Sequence, residues 1–549
     1  MNRKYVAGGV ILLAGIAGFM GVRFFENQTA QAVREALAGA SVQTAEVRYS
    51  LLNNTLFLKG LEYELTDKDG TRKGSVESVE VKGFNRGCLA AGADAAAYDA
   101  VSLPLVAESV VITGVSDRQE GAGMQVEQKL ASLQLRGWYQ RLGVVLEQYR
   151  LHRNEASCYE ELYRYRLDGM DADRLTLSLT EKDVLSMAFD VDAVRLVEGV
   201  RAPQGGEKVS PMSLTLDGIR FTGTDFSDIS VSGELKNVTV RDLLLPEPAV
   251  MVELIAVNRA MDAADLDTEE GMDAFDAQYV KMMELLQKNY EKKPPLSGFS
   301  MKETGLRVTT AEKSPAAQDK EPLVTVAMNS LDYALALVGA GDYKTAVELD
   351  GLSLDMPELR SDAILKRYAP EGFVLNAEGE SVTGEEKMSG HVRYELKGLG
   401  KLSLELALSG DMGALERLSV DSTAVDPFAV MQSVNLERLN MNYEDSGLLP
   451  MALELVAREE GQTPEALLSM LFQNLSVIGQ FPNRAAQQLG SALAEQLTMP
   501  GEFGMALVPA KPMTLLTLFS MIMEASDELP VSFSSVPGQK PLTDYLPKN

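Results

Sequence analysis

The amino-acid sequence predicts an α+β protein. We expect an N-terminal transmembrane helix, an antiparallel bulged β-sheet with a helical insertion, and a helix-rich C-terminal subdomain. Three observations predict this fold class. Several segments alternate apolar and polar residues with a period of two, which is typical of half-buried strands. Other segments repeat apolar residues at helical spacing. An uncharged apolar run occupies residues 5–22.

The apolar run at residues 5–22 is nearly as long as the ~20 helical residues that cross a bilayer core. Arg3 and Lys4 precede it and favour a cytoplasmic N-terminus. A cleaved secretory signal is the alternative, with residues 30–32 as a small-x-small cleavage site. That site lies further beyond the run than a cleavage region normally does, so retention as a single-pass anchor is favoured. In either case the body of the chain is exported.

Composition excludes some partners. The chain has 549 residues, a net charge of −28 and no run of lysine and arginine. Such a chain repels phosphate backbones, so we expect no nucleic-acid binding, and it is repelled from anionic lipid surfaces except where specific apolar contacts hold it. The two cysteines, Cys88 and Cys158, allow one disulfide in an exported protein, and a pair of free thiols is the alternative.

A recurring one-residue step marks the predicted strands. In TLFLKGLEYEL, Leu56 and Leu58 lie on one face, and after Lys59-Gly60 the alternation resumes at Leu61. The same step occurs beside Gly169, Gly218, Gly351 and Gly398. A bulge with glycine in the left-handed conformation would absorb the step, and a tight hairpin turn at each glycine is the alternative. Both predict an antiparallel, twisted and repetitive sheet.

The step keeps one face of the predicted sheet apolar. Its side chains are candidates for lining either an open ligand groove or a closed core, because both are apolar and both alternate. The candidates are Leu56, Leu58, Leu61, Leu214, Leu216, Ile219, Leu349 and Leu352.

Helical patterns fill the remaining regions. A helix is predicted from Pro248 to Met261, and a second follows a capping pair, Asp267 and Glu270. Near the C-terminus, helices are predicted over 447–458, from a cap at Thr463 onward, and over 483–497, followed by a strand at 501–508. The sequence is therefore divided into an anchor (1–25), a β-rich region (26–240), a helical insertion (241–297), a second β-rich region (298–410) and a helix-rich subdomain (411–549).

The segment at residues 513–523 is apolar on nearly all sides. Eleven residues are too few to span a bilayer, so we expect a buried helix. A lid over an apolar groove and a membrane-touching segment are the alternatives.

Two stretches resemble known envelope proteins. The block VQTAEVRYSLLNNTLFLKGLEYEL, with VESVEVKGF and LVAESVVITGV after it, resembles the opening of AsmA-like proteins. The stretches LNMNYEDSGLLPMALELVAREEGQTPEALL and MPGEFGMALVPAKP resemble YdgA-like anchored bacterial envelope proteins. The resemblance implies an inner-membrane protein with a periplasmic β-rich body, an apolar concave sheet face and lipid contact. It carries over no functional residue.

The sequence offers little for catalysis. His152 and His391 are its only histidines, and no zinc-ligand spacing, phosphate-binding loop or nucleophile motif is present. We therefore expect a non-enzymatic protein without metal or cofactor, which holds phospholipid or another apolar ligand or assists envelope assembly. The alternative is a scaffold for an envelope protein partner, with its sheet closed by its own helices. A hydrolase using dispersed carboxylates is a third hypothesis.

Overall fold

The structure, a computed structural model, describes residues 42–50, 54–67, 70–85, 104–121, 123–140, 165–181, 185–197, 212–225, 229–243, 248–262, 268–290, 296–310, 323–338, 342–415, 426–478, 480, 483–524 and 526–546. Strands make up 58% of it and helices 28%. The chain divides into two compact units, Met1–Phe299 and Ser300–Asn549.

Unit 1 is built on nine long strands. They are β1 (Val42–Ser50), β2 (Thr55–Asp67), β3 (Gly70–Lys82), β4 (Leu105–Gly121), β5 (Met124–Gln140), β6 (Tyr165–Glu181), β7 (Leu185–Val197), β8 (Met212–Asp225) and β9 (Ile229–Leu243). Each strand pairs antiparallel with the next one in the chain. The result is an up-and-down meander in which sequence neighbours are also sheet neighbours.

One row of positions interrupts the pairing in all nine strands. Between β2 and β3, for example, Lys59 pairs with Ser78 and Leu61 pairs with Val76, while Gly60 and the residue opposite it are skipped. The register is the same on both sides of the skip, so neither strand gains a residue. We call this row the crease; its residues are Ala45, Gly60, Glu77, Gly114, Ala131, Arg174, Asp192, Gly218 and Lys236.

In every second strand, the residue at the crease has a left-handed backbone conformation. The φ angles are +61° at Gly60, +62° at Gly114, +52° at Arg174 and +61° at Gly218. At Gly218 the side chain of Asp192 from the adjacent strand lies over the glycine, because a Cβ there would come within 2.0 Å of Asp192 Oδ2. The glycine thus provides both an unusual backbone angle and space for its neighbour.

Two helices follow the sheet of unit 1, α1 (Pro248–Asp262) and α2 (Glu269–Tyr290). They occur where the apolar periodicity predicts them. Thr268, rather than the expected Asp267, lies at the start of α2 and accepts a hydrogen bond from the Gly271 N–H at 3.1 Å.

Unit 2 continues with antiparallel strands. They are β10 (Gly298–Thr310), β11 (Val324–Leu337), β12 (Tyr343–Asp355), β13 (Phe373–Thr383), β14 (Lys387–Leu396), β15 (Gly400–Gly410), β16 (Val434–Asp445), β17 (Glu502–Leu507), β18 (Met513–Thr514) and β19 (Val531–Val536). Strands β11 to β16 form a meander, β16 pairs with β17 and β18, and β17 pairs with β19.

The step in β12 is a true bulge. Gly351 has a φ of +66°, and the register with β13 shifts by one residue between Leu349 and Leu352. The Gly351 N–H is bound by the Asn376 side chain at 2.9 Å instead of by the ladder. Because β12 absorbs the step on this side, β13 and β14 alternate without one.

The glycine steps predicted from the sequence divide into three groups. Gly60, Gly218 and Gly351 lie inside continuous strands with positive φ, so the hairpin-turn alternative is wrong for them; Gly351 forms a bulge, whereas Gly60 and Gly218 belong to the crease, where neither strand gains a residue. Gly398, with a φ of +76°, lies instead in the turn between β14 and β15. Beside Gly169 the step is present, since Asp168 and Gly137 are skipped between β5 and β6, but the left-handed glycine is Gly137 of β5, with a φ of +54°, and not Gly169.

Helices occupy the C-terminal part of unit 2. They are α3 (Pro357–Ser361), α4 (Ala363–Tyr368), α5 (Pro427–Ser433), α6 (Leu448–Glu459), α7 (Pro464–Ile478), α8 (Arg484–Thr498), α9 (Leu515–Met523) and a 3-10 turn, Leu542–Asp544. Leucines of α6, α7, α8 and the 3-10 turn form one buried cluster. The N-cap at Thr463 is as predicted, and Asn483, predicted as the first residue of a helix, is the N-cap of α8; each side-chain oxygen accepts from the N–H three residues later.

The predicted α+β fold class is wrong. The described chain is mostly antiparallel sheet, and its strands run to 17 residues, so helices are a minor addition to a β protein. No described helix is both long and apolar enough to cross a bilayer. The predicted anchor at residues 5–22 and both Cys88 and Cys158 lie outside the described residues. The five-part division of the chain stays a prediction.

Gly218→Ala should destabilise the protein by about 2–3 kcal/mol, because it adds left-handed strain and a clash with Asp192. Gly223→Ala, in the same strand, is the matched control, since its Cβ would meet Met187 Cγ at an ordinary 3.8 Å. Urea unfolding followed by circular dichroism measures both variants. Equal losses of stability would show that the crease imposes no special constraint.

Arg174→Gly should stabilise the protein by up to about 1 kcal/mol, because arginine is the one residue with a side chain among the left-handed positions of the unit 1 crease. Arg195→Gly, at an ordinary extended position in β7, should instead destabilise. Thermal unfolding of both variants tests the pair. A clear loss of stability in Arg174→Gly would mean that its guanidinium outweighs the backbone strain.

Candidate apolar binding face

Three ladders of apolar side chains cross the sheet of unit 1, each made of residues that pair directly from strand to strand. Ladder 1 is Leu61, Val76, Val115, Leu130, Leu175, Val191, Ile219 and Leu235. Ladder 2 is Val47, Leu58, Val79, Ile112, Leu133, Ala172, Val194, Leu216 and Val238, and ladder 3 is Tyr49, Leu56, Val81, Val110, Leu135, Met170, Leu196, Leu214 and Val240.

All three ladders lie on one face of the sheet. Leu56 and Leu58, on one side of the crease, belong to the same buried cluster as Leu61 on the other side. Directly paired residues point to the same face of an antiparallel sheet. Ladders that share a face at β2 therefore share it at every strand they cross. The crease makes this possible, because without it ladder 1 would lie on the opposite face.

Six of the eight residues singled out from the sequence belong to these ladders. Leu61 and Ile219 are in ladder 1, Leu58 and Leu216 are in ladder 2, and Leu56 and Leu214 are in ladder 3. The remaining two, Leu349 and Leu352, flank the bulge of β12 in unit 2 and are half-buried.

Burial changes along the ladders. At β2, Leu56, Leu58 and Leu61 are 3%, 0% and 0% exposed, so they form a closed core. At β8, Leu214 and Leu216 are only half-buried. The ladders are closed at β2, whereas along β6–β8 buried members such as Val191 and Ile219, 3% and 5% exposed, alternate with half-buried ones, so the apolar face is only partly open there.

The open part extends beyond the three ladders. The next row along β6, β7 and β8 consists of Leu177, Phe189 and Phe221, and Phe189 is 37% exposed. Met187, one step further along β7, is 48% exposed. These side chains carry no hydrogen-bonding group, so the face can hold a ligand only by burying apolar surface.

At β2–β4 that same row contains polar side chains, and their hydrogen-bonding groups are paired within the protein. Asp117 is buried, accepts a 2.6 Å hydrogen bond from the Tyr63 hydroxyl, and is bound by Arg72 Nε at 2.8 and 2.9 Å. Burial, together with the Asp117 bond, raises the pKa of Tyr63 above its usual range. Burial lowers the pKa of Arg72, but the Asp117 hydrogen bond and charge outweigh it, so the net shift is upward. Both shifts favour the protonated forms that Tyr63 and Arg72 ordinarily have at neutral pH, which indicates a structural role.

A cavity of about 950 Å³ lies beside this network rather than on the open strands. Its lining is mixed and includes Glu62, Glu64, Lys73 and Tyr63. A cavity with these charges is a poor match for an apolar ligand. We therefore assign the candidate site to the open ladders and not to the cavity.

Sequence reasoning missed the crease step in the strands that have no glycine at the crease, including every odd-numbered one. Their signal is an apolar pair spaced by three residues inside an alternating segment, such as Val76 and Val79 or Val191 and Val194. All of β2 to β9 have this spacing where ladders 1 and 2 flank the crease. The spacing, and not the glycine, identifies the repeat.

The described residues contain no group of histidine, cysteine and carboxylate side chains able to hold a metal ion. His391 lies in β14, where it pairs with Glu380 and Glu405 of the adjacent strands. His152 lies outside the described residues. The absence of an enzymatic activity stays a prediction.

A family model described only as an uncharacterized protein matches residues 393–534. The match begins in β14 and ends in β19, so it covers the helix-rich part of unit 2 and none of the ladders. A search of curated proteins finds no match to this chain.

Leu58→Asp should destabilise the protein by about 3–5 kcal/mol or prevent folding, because it places a carboxylate in a fully closed core. Leu216→Asp, in the same ladder but half-buried, should lower the stability by only about 1 kcal/mol. Urea unfolding of both variants gives the comparison. Similar losses at the two positions would show that the ladder is equally closed along its length.

Proposed function

We propose that this chain is a membrane-anchored, non-enzymatic envelope protein that holds phospholipid or another apolar ligand on the open part of its ladders. The observation that carries the proposal is the continuity of ladders 2 and 3 from a closed core at β2 to half-buried positions at β8, next to the exposed Phe189 and Met187 of β7. Exposing such an apolar surface to water costs free energy, which is recovered when another molecule covers it.

The ligand class follows from the chemistry of the face. The open rows are formed by leucine, valine, methionine and phenylalanine, so they recognise hydrocarbon and not a polar headgroup. Neighbouring strands are about 4.8 Å apart, so four strands offer a track of roughly 14 Å between the outer two. An acyl chain lying across the strands matches a long, narrow apolar track of this kind.

The location rests on the sequence alone. Residues 5–22 with Arg3 and Lys4 support an anchor in the inner membrane, and the resemblance to bacterial envelope proteins supports a periplasmic body. Protease added to spheroplasts should digest the body and spare only an N-terminal fragment. Protection of the whole chain would contradict this placement.

Native mass spectrometry of the exported chain, purified without detergent, tests ligand binding. We expect bound masses that match phospholipid in the wild type and their loss in Leu216→Asp. Thr215→Asp is the matched control, because Thr215 is the next residue of β8 and lies on the opposite face. Circular dichroism checks that both variants are folded. Equal ligand occupancy in all three proteins, or none in the wild type, would contradict the proposal.

A protein-interaction scaffold without a ligand is the second candidate. It is favoured by one observation in unit 2, where Leu515 and Leu518 of α9 and Val430 of α5 pack against strand residues in a closed cluster. There the sheet is covered by its own helices, as the scaffold hypothesis expects. Crosslinking in cells, followed by identification of a single abundant partner, would support this candidate over lipid binding.

A further inference from the structure

The expectation that residues 513–523 form a buried helix is wrong. They form the short strand β18 and the helix α9, and α9 contains no buried residue. Phe519 is 48% exposed, Ile522 52% and Met523 70%. Nearby α5 adds Phe428, which is 62% exposed. We call these four side chains the α9 patch.

The α9 patch is held in place by folded structure. Leu515 and Leu518, on the inner side of α9, pack against a buried cluster that includes residues of α5, β15, β16 and β17. Thr514 caps the helix by accepting the Thr517 N–H at 3.1 Å. Met513, directly before the cap, pairs with Leu436 of β16. The exposed side chains of α9 therefore project from a helix whose position is fixed by packing, capping and strand pairing.

The charge distribution argues for a neutral, apolar occupant. No charged residue lies between Lys511 and Glu524, although the whole chain carries −28. A second copy of the chain would bring its own charge of −28, and the repulsion between the two would oppose their contact. The uncharged, apolar interior of a lipid bilayer would not repel the protein in this way.

The area of the α9 patch argues the same way. Large side chains bury about 150–250 Å² each when fully covered, so four half-exposed ones offer only a few hundred Å². A stable protein interface needs roughly 800 Å² from each partner. Interfacial insertion into a bilayer has no such threshold, because each apolar side chain that enters adds to the affinity by itself.

We propose that the α9 patch is a membrane-contact surface, which inserts Phe428, Phe519, Ile522 and Met523 into the interfacial region of a lipid bilayer. Helix α9 lies along the membrane surface with Leu515 and Leu518 turned toward the protein. The anchor predicted at residues 5–22 would keep the body beside a bilayer, so a small patch is enough for contact. The inference is independent of ligand binding on the ladders.

Tryptophan quenching by brominated lipid tests the proposal. The full chain carrying Phe519→Trp is reconstituted into phosphatidylcholine vesicles whose acyl chains are brominated. The wild-type signal from Trp138, the one native tryptophan, is measured separately and subtracted. We expect the Phe519→Trp emission to shift to shorter wavelength and to lose intensity relative to vesicles without bromine.

Val477→Trp is the matched control, because Val477 is 57% exposed on α7 of the same unit. Its emission should not change between the two kinds of vesicle. Adding Ile522→Asp to Phe519→Trp should abolish the quenching without unfolding, since Ile522 is exposed.

Three outcomes would overturn the proposal. The first is unchanged Phe519→Trp emission in brominated vesicles. The second is equal quenching of Phe519→Trp and Val477→Trp. The third is a blue shift without quenching, accompanied by a dimer in sedimentation analysis, which would assign the patch to a second copy. A failure of ladder binding would show instead in mass spectrometry and would leave these fluorescence results unaffected.

Discussion

The fold of unit 1 depends on one shared interruption of the alternation between faces. A strand that skips one residue turns every later side chain to the opposite face, so a strand cannot skip alone without separating its apolar residues. In this sheet all nine strands skip at the same row, and the pairing stays in register. The skip is therefore a property of the sheet and not of any single strand.

The exposure of the ladder side chains is not set by their composition alone. Leu58 and Leu216 belong to the same ladder and have the same side chain, yet one is closed and the other is half-buried. Any ligand would therefore extend an apolar core that the protein has already formed. Binding of this kind adds contacts of the same chemistry and needs no specialised pocket.

The sequence predicts much of the local structure and less of the arrangement. Alternation and glycine steps identify the strands, and caps at Thr463 and Asn483 identify helix starts, because these signals are local. Arg174 was missed because left-handed backbone in a non-glycine residue leaves no mark in the sequence. The α+β class and the burial of α9 were wrong because strand length and covering depend on tertiary packing. For the same reason, the closed and open ends of the ladders look identical in the sequence.

The left-handed positions of the crease recur in alternate strands, so the repeating element of this architecture is a pair of strands. Gly60, Gly114, Arg174 and Gly218 mark four successive pairs. Removing an inner odd-numbered strand would place two left-handed residues side by side, and removing an even-numbered one would leave the crease side chains of its two neighbours without the left-handed residue between them. During evolution such a sheet can lengthen or shorten only by whole hairpins, so the length of its apolar face changes in steps of two strands.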